Sequence, residues 1–263
     1  MTKKPIKKIL YVAYSLVLSL GVADAARADT VNIVHDGYGA YGTTTFWAAD
    51  SYGDDVMGGV YQLNKTGDTG IGDTWHNGLI PGFCMELHEP PPHSTYTYSV
   101  TMPDNVYNSF TGEVLGVTKA NYLRELWARY YDPSWAAGGP YTSQQNGAAQ
   151  AFAAAVWEII YEKLPTSPAD WDVTLDGTPG VGGFWAQNLD AATANKWLHD
   201  LTGSGPKADL RAFVFQGQQD YLVAVPEPAT IILLGLGGLC SIASRRRRAR
   251  EPQSASGSAT TGA

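Results

Sequence analysis

Residues 143–164, which read SQQNGAAQAFAAAVWEIIYEKL, decide the fold of this chain. Apolar side chains recur at helical spacing along one face, namely Phe152, Val156, Ile159, Ile160 and Leu164. This spacing is typical of an amphipathic helix, and the alanines at the centre are strong helix formers. Because proline cannot continue a helix, Pro165 ends it. The sequence therefore predicts a long helix over 143–164 that packs against a core.

Shorter elements lie on both sides of this helix. Upstream, alternating apolar and polar residues predict strands over 31–35, 60–63, 82–87 and 95–102. Helical spacing returns over 119–131, with Thr118 as the N-cap, and again over 190–201. Residues 211–224 are typical of a closing strand interrupted by a polar turn. Strands followed by helices predict an α+β fold: an N-terminal antiparallel β-rich part, a small helical part and a closing strand.

The first 28 residues have the pattern of a secretory signal peptide. Four lysines form a positive start, residues 9–22 form an apolar stretch, and Ala26-Arg27-Ala28 is a small-x-small cleavage site before Asp29. Ala23-Asp24-Ala25 is a second candidate site, and an uncleaved N-terminal anchor is the alternative. Removal of residues 1–28 leaves an exported globular region at 29–225, long enough for a domain with a buried core.

The other end of the chain combines a proline motif, an apolar run and a basic cluster. Pro226, Glu227 and Pro228 precede a run at 229–244, and Arg245, Arg246, Arg247 and Arg248 follow it. A run of this length predicts a short membrane-spanning helix, with the arginines retained on the cytoplasmic side. Residues 251–263 are polar and predict a disordered tail.

This C-terminal arrangement over 226–250 resembles the PEP-CTERM sorting tail of exported proteins in Gram-negative bacteria. The resemblance implies recognition and cleavage by an exosortase, a membrane protease. It also implies that the protein resides transiently in the inner membrane and is then delivered to the cell surface or the extracellular matrix.

The region between the two ends is strongly acidic. Residues 29–225 hold 8 basic and 22 acidic residues, a formal net charge of −14, against −7 for the whole chain. Nucleic-acid binding needs clustered cations, so this balance argues against such a partner. Solubility explains the charge, and the pairs Asp54-Asp55 and Asp68-Asp73 lack EF-hand spacing for calcium. We expect no metal and no cofactor.

Cys84 is the only cysteine of the exported region, because Cys240 lies in the C-terminal apolar run. It cannot form an intramolecular disulfide there, so it is either a buried, inert side chain or a reactive thiol. Its surroundings, residues 81–87, combine with Tyr122-Leu123 and with the helix at 151–162. Together they resemble the thioester domains of bacterial surface adhesins over residues 80–225.

The thioester resemblance implies a cysteine joined to a glutamine amide with release of ammonia. The family's glutamine position is Ala153 here, and a methyl group cannot be acylated. Gln150 lies on the same helix, displaced by about 4.5 Å along its axis. We therefore expect a degenerate thioester-like domain without catalytic residues. A covalent adhesin that uses Cys84 with Gln150 is the alternative.

The function expected from these features is noncovalent adhesion or matrix interaction by an exported, exosortase-sorted, non-enzymatic protein. An exopolysaccharide or another surface ligand is the expected partner. One alternative is a carbohydrate-binding module that uses exposed tryptophans such as Trp135 and Trp185. Another is a hydrolase in which His76 or His88 serves Cys84 as the base.

Overall fold

The computed structural model of the protein describes residues 28–48, 53–108, 111–175 and 183–226. The signal peptide expected at 1–28 lies outside these residues, except for Ala28. Glu227, Pro228, the helix expected at 229–244, the arginines at 245–248 and the tail at 251–263 also lie outside them. Within the described ranges, no helix has the length and apolar character needed to cross a membrane.

The described residues form nine strands and three helices. The strands are β1 (Thr30–Ala48), β2 (Asp54–Thr69), β3 (Gly78–Cys84), β4 (Tyr96–Thr101), β5 (Tyr107–Asn108), β6 (Glu113–Val114), β7 (Phe184–Gln187), β8 (Leu210–Phe215) and β9 (Gln218–Ala224). The helices are α1 (Gly116–Tyr130), α2 (Ser143–Tyr161) and α3 (Ala191–His199). The strand pairings in this part of the chain are antiparallel, so the predicted α+β class is confirmed.

The large sheet closes on itself. Strands pair in the order β2-β3-β9-β8-β4-β1, and β1 pairs in turn with β2. Closure is achieved because β1 is long: residues 30–33 pair with β4, while pairing with β2 runs from Thr30 to Phe46. The last residues of β1 pair with β7 on the far side. Buried tyrosines, among them Tyr61, Tyr98 and Tyr221, pack together inside the closed sheet.

Helix α2 covers the outer face of this sheet. Its start is fixed by a capping box, in which Thr142 and Gln145 each accept a hydrogen bond from the other's backbone nitrogen. Phe152 of α2 packs on Phe83 of β3, with ring centroids 4.6 Å apart. Because neighbours along a strand point to opposite faces, the side chain of Cys84 lies on the inner face.

Helix α2 ends at Tyr161, before the predicted end at residue 164. Leu164 precedes Pro165, and the proline ring disfavours helical backbone at the residue before it. The last carbonyls of the helix are left without N–H partners. Lys119 of α1 supplies hydrogen-bond donors at this end of the helix: its Nζ donates to the backbone oxygens of Ile160 at 2.9 Å and Glu162 at 2.5 Å.

The other two helices also differ slightly from the predicted spans. Helix α1 begins before Thr118, because the φ of +76° at Gly116 lets the chain turn into the helix early. Helix α3 is shorter than the predicted 190–201, and Asp190 caps it by accepting a bond from Thr193 N.

Glu125 joins α1 to the segment that follows α3. Its buried carboxylate accepts hydrogen bonds from Arg129 Nε at 2.8 Å and from Thr202 N at 3.1 Å. Burial alone would raise the pKa of Glu125, but the bonds from Thr202 and Arg129 outweigh it and lower the pKa. The carboxylate therefore stays ionised and ties α1 to the segment after α3.

The closing strand expected at 211–224 is a hairpin of two strands, β8 and β9. The polar turn between them contains Gly217, whose φ of +88° suits glycine. Strands β1 and β2 are much longer than the predicted runs at 31–35 and 60–63. The β-rich part is therefore completed by the C-terminal hairpin rather than being a separate N-terminal unit.

Candidate functional site

The thiol of Cys84 is enclosed at the end of β3. The residue is 1% exposed, its Sγ donates to the backbone oxygen of Glu86 at 3.2 Å, and its own backbone oxygen accepts a bond from Trp157 Nε1 at 2.9 Å. Burial raises the pKa of the thiol far above its ordinary value, because a thiolate here would lose its hydration. A thiol that stays protonated at neutral pH is a weak nucleophile.

The amide of Gln150 connects α2 to β1 and to the loop before α3. Its Nε2 lies 2.7–2.9 Å from three hydrogen-bond acceptors. These acceptors are the backbone oxygens of Thr43 and Asn188 and the hydroxyl of Thr44. Gly42 and Gly58, paired across β1 and β2, leave room for the side chain. A Cβ at Gly42 would lie only 2.7 Å from the Gln150 Cδ, so a larger residue there would displace the amide.

The structure gives the thiol and the amide separate hydrogen-bond partners. Ala153, where the resemblance places the family's glutamine, is buried in α2. Gln150 precedes Trp157 by seven residues, about 10 Å along a helix axis. The Trp157 indole lies between them. Its Nε1 bonds to Cys84, and its Cη2 lies near Gly58, where the Gln150 Cγ also packs.

The two histidines considered as bases for Cys84 lie in different surroundings. His88 Nδ1 is 3.7 Å from Glu86 Oε1, and its ring lies 6.4 Å from that of Tyr161. His76 is exposed and lines an apolar groove beside Trp75. Across the described ranges, no group of three or more His, Cys, Asp or Glu side chains is arranged to hold a metal ion.

The tryptophans suggested as sugar-stacking surfaces differ in exposure. Trp135 is buried and lies 5.7 Å from the ring of Phe152, so it belongs to the core and offers no face to a ligand. Trp185 is half-buried and stacks on Trp47 of β1, with ring centroids 3.7 Å apart and planes inclined by 7°. Of these two candidates, only Trp185 has a surface that a sugar could reach.

A cleft of about 710 Å³ lies beside the β8–β9 turn, on the outer face of the closed sheet. We call it the acidic cleft, because Glu86, Glu89 and Asp220 line it. Its other polar lining residues are Thr97, Ser99, Thr101, Asn105, Gln216 and Gln218. Tyr107 also lines it and is 60% exposed. The described residues of the lining include no lysine or arginine.

Strand β4 supplies one wall of the acidic cleft. Thr97, Ser99 and Thr101 alternate with the buried residues Tyr98 and Val100. Since side chains alternate between the faces of a sheet, the three hydroxyl residues point outward together. They form a row of hydrogen-bonding groups on a rigid strand, which is a suitable surface for a ligand with many hydroxyl groups.

Asp220 lies on the wall opposite this row. Its Oδ1 accepts a hydrogen bond from Phe215 N at 3.0 Å. Burial raises the pKa of Asp220 to about 7; the bond from Phe215 opposes this shift, and the charges of Glu86 and Glu89 add to it. The cleft therefore holds a carboxyl group that titrates near neutral pH.

The acidic cleft was not among the sites predicted from the sequence. Residues 216–220 read as a polar turn, and Glu86 read as part of a strand. They come together because β3 pairs with β9, which sets Cys84 opposite Tyr221. The available signal was local: the alternation of hydroxyl residues with Tyr98 and Val100 predicts a polar outer face on that strand.

Comparison with known proteins gives one match. The PEP-CTERM protein-sorting motif matches residues 224–248, which include Pro226, Glu227, Pro228 and the arginines at 245–248. This motif indicates a protein that is exported, processed by an exosortase and located at the cell surface or outside the cell. No curated protein and no solved structure matches the chain. The resemblance to thioester domains gains no support from these comparisons.

Proposed function

We propose that this exported protein binds a polysaccharide of the extracellular matrix noncovalently in the acidic cleft, without turning it over. The observation that carries the proposal is the cleft itself: about 710 Å³, with a row of hydroxyl groups on β4, amide and carboxyl groups mainly from the neighbouring loops and turns, and an exposed tyrosine. Its volume is within the range of small-molecule and oligosaccharide sites.

The charge of the cleft selects among polysaccharides. Glu86, Glu89 and Asp220 line it without a facing lysine or arginine in the described lining. Carboxylates accept hydrogen bonds from sugar hydroxyls and attract ammonium groups, whereas they repel other carboxylates. The expected ligands are therefore neutral or amino-sugar polymers, and polyuronates are disfavoured.

The state of Cys84 supports a noncovalent interaction over a covalent one. An acyl transfer needs a thiolate or a preformed thioester, and burial holds this thiol in its protonated form. The amide of Gln150 is engaged by backbone oxygens of β1 and of the loop before α3. These observations favour a binding protein held by hydrogen bonds and aromatic contacts.

Replacing Tyr107 with alanine is expected to weaken binding of a glucosamine polymer about fivefold to tenfold, since a ring that stacks on a ligand contributes about 1–1.4 kcal/mol. Isothermal titration calorimetry of the exported protein measures this loss. Tyr41→Ala is the matched control, because Tyr41 is also exposed, at 41%, and does not line the cleft.

The same titration compares three polymers: glucosamine, neutral glucose and uronic acid. The expected order of affinity is glucosamine first, neutral glucose second and polyuronate last. Equal binding of the polyuronate, or equal affinity of the Tyr107→Ala and Tyr41→Ala variants, contradicts the proposal.

A further inference from the structure

A second concave surface lies where the described chain ends. This surface, the exit groove, has a volume of about 350 Å³ and is lined mainly by Trp75, Leu79, Pro81, Trp127, Tyr131 and Pro226. Leu79 is 57% exposed, and the rings of Trp127 and Tyr131 stack with centroids 4.5 Å apart. Trp75 and Trp127 are only 2% and 5% exposed, whereas Leu79, Pro81, Tyr131 and Pro226 keep apolar surface open to solvent in the part of the chain that the structure describes.

The chain leaves the fold at a fixed position beside this groove. Trp75 Nε1 donates to the backbone oxygen of Ala224 at 2.8 Å, and Val225 N donates to the backbone oxygen of Asp209 at 2.8 Å. These two bonds fix the backbone at Ala224 and Val225. The next residue, Pro226, therefore has a fixed position and lines the groove. The chain after Pro226 therefore leaves the described fold at the edge of the groove.

We propose that the exit groove binds the chain's own sorting segment, residues 227–230, while that segment is still attached. The segment reads Glu-Pro-Ala-Thr and continues directly from Pro226. Proline-rich segments favour the extended polyproline II conformation, and aromatic-lined grooves bind them. At about 3.1 Å per residue, a segment in this conformation would carry residue 228 roughly 6 Å beyond Pro226.

Docking of this kind gives the folded domain a role in its own processing. The sorting motif is presented at one place on the domain surface once β9 and the Trp75 contact have formed. A protease that reads the motif then meets a segment with a defined position instead of a free tail. This inference does not depend on ligand binding in the acidic cleft, which is lined by a different set of residues.

Disulfide trapping in the full-length exported chain tests the proposal. The chain carries Cys240→Ser, Leu79→Cys and Ala229→Cys and is exported in cells that lack the exosortase, so that the segment after Pro226 is retained. The matched control carries Val117→Cys in place of Leu79→Cys, because Val117 is 62% exposed and lines a different cavity. Cys84 is buried and stays out of the reaction.

Mild oxidation is expected to link residues 79 and 229 at least tenfold faster than residues 117 and 229. Equal rates overturn the proposal. A second measurement needs only Leu79→Cys with Cys240→Ser: alkylation of the new thiol is expected to be several-fold slower in the full chain than in a chain that ends at residue 226. The same alkylation rate in both chains also overturns it.

Discussion

Replacement of Gln150 by glutamate is expected to destabilise the fold by about 3–5 kcal/mol at pH 8. The change exchanges the NH2 group for an oxygen and leaves the shape of the side chain intact. At that position the new oxygen would face the backbone oxygens of Thr43 and Asn188, neither of which can donate a hydrogen bond. The carboxylate would be buried and repelled, so the midpoint of thermal unfolding should fall by about 10 °C or more.

Gln144→Glu is the control for this substitution. Gln144 is exposed in the first turn of α2, where a negative charge is tolerated by the helix dipole. Its effect is expected to stay within about 0.5 kcal/mol. Thermal unfolding of both variants measures the difference. If Gln150→Glu unfolds at the same temperature as Gln144→Glu, the amide is not the buried donor that joins α2 to β1.

Asp220→Asn is expected to have the opposite sign and to stabilise the protein by about 2–4 kcal/mol at pH 8. The pKa of Asp220 is raised to about 7 in the fold, mainly by burial, from an ordinary value of 3.8. Between these values the unfolded chain ionises while the folded chain holds the proton, so stability falls as the pH rises through this window. Asparagine keeps the acceptor for Phe215 N and cannot ionise.

The stabilisation should therefore fall to about 0.5 kcal/mol at pH 4, where the carboxyl group is almost fully protonated in the folded protein and only about half ionised in the unfolded chain. Urea unfolding at pH 4 and pH 8 measures the difference. Asp54→Asn, at an exposed position at the start of β2, is expected to leave the pH dependence unchanged. A gain for Asp220→Asn that is the same at both pH values would mean that desolvation of Asp220 is not its cause.

Local patterns in the sequence predicted the elements that have strong local signals. The amphipathic face of α2 and the turn around Gly217 each follow from a few neighbouring residues, whereas Thr118, the predicted N-cap of α1, lies inside that helix. The length of β1 could not be predicted, because Gly37, Gly39 and Gly42 interrupt its alternation. Closure of the sheet depends on pairings between residues far apart in the chain, such as Val31 with Tyr98.

The candidate sites also divide into features that the local sequence predicts and features that depend on contacts between distant residues. The sequence identified Cys84 and Gln150 as residues of interest, but their burial and their partners depend on the packing of α2 against β1 and β3. The acidic cleft joins Glu86 to Asp220 across a strand pairing, which no local pattern reveals. The sorting motif, by contrast, is contiguous, and the comparison over residues 224–248 supports it directly.

Hydrogen–deuterium exchange of the exported protein, with and without saturating glucosamine polymer, tests most directly whether the acidic cleft is the binding site. The polymer is expected to slow exchange at residues 97–101 and 214–220, which form two walls of the cleft. Slowed exchange instead at β7 and the end of β1, where Trp47 and Trp185 stack, would contradict the account. So would an exchange pattern that the polymer leaves unchanged.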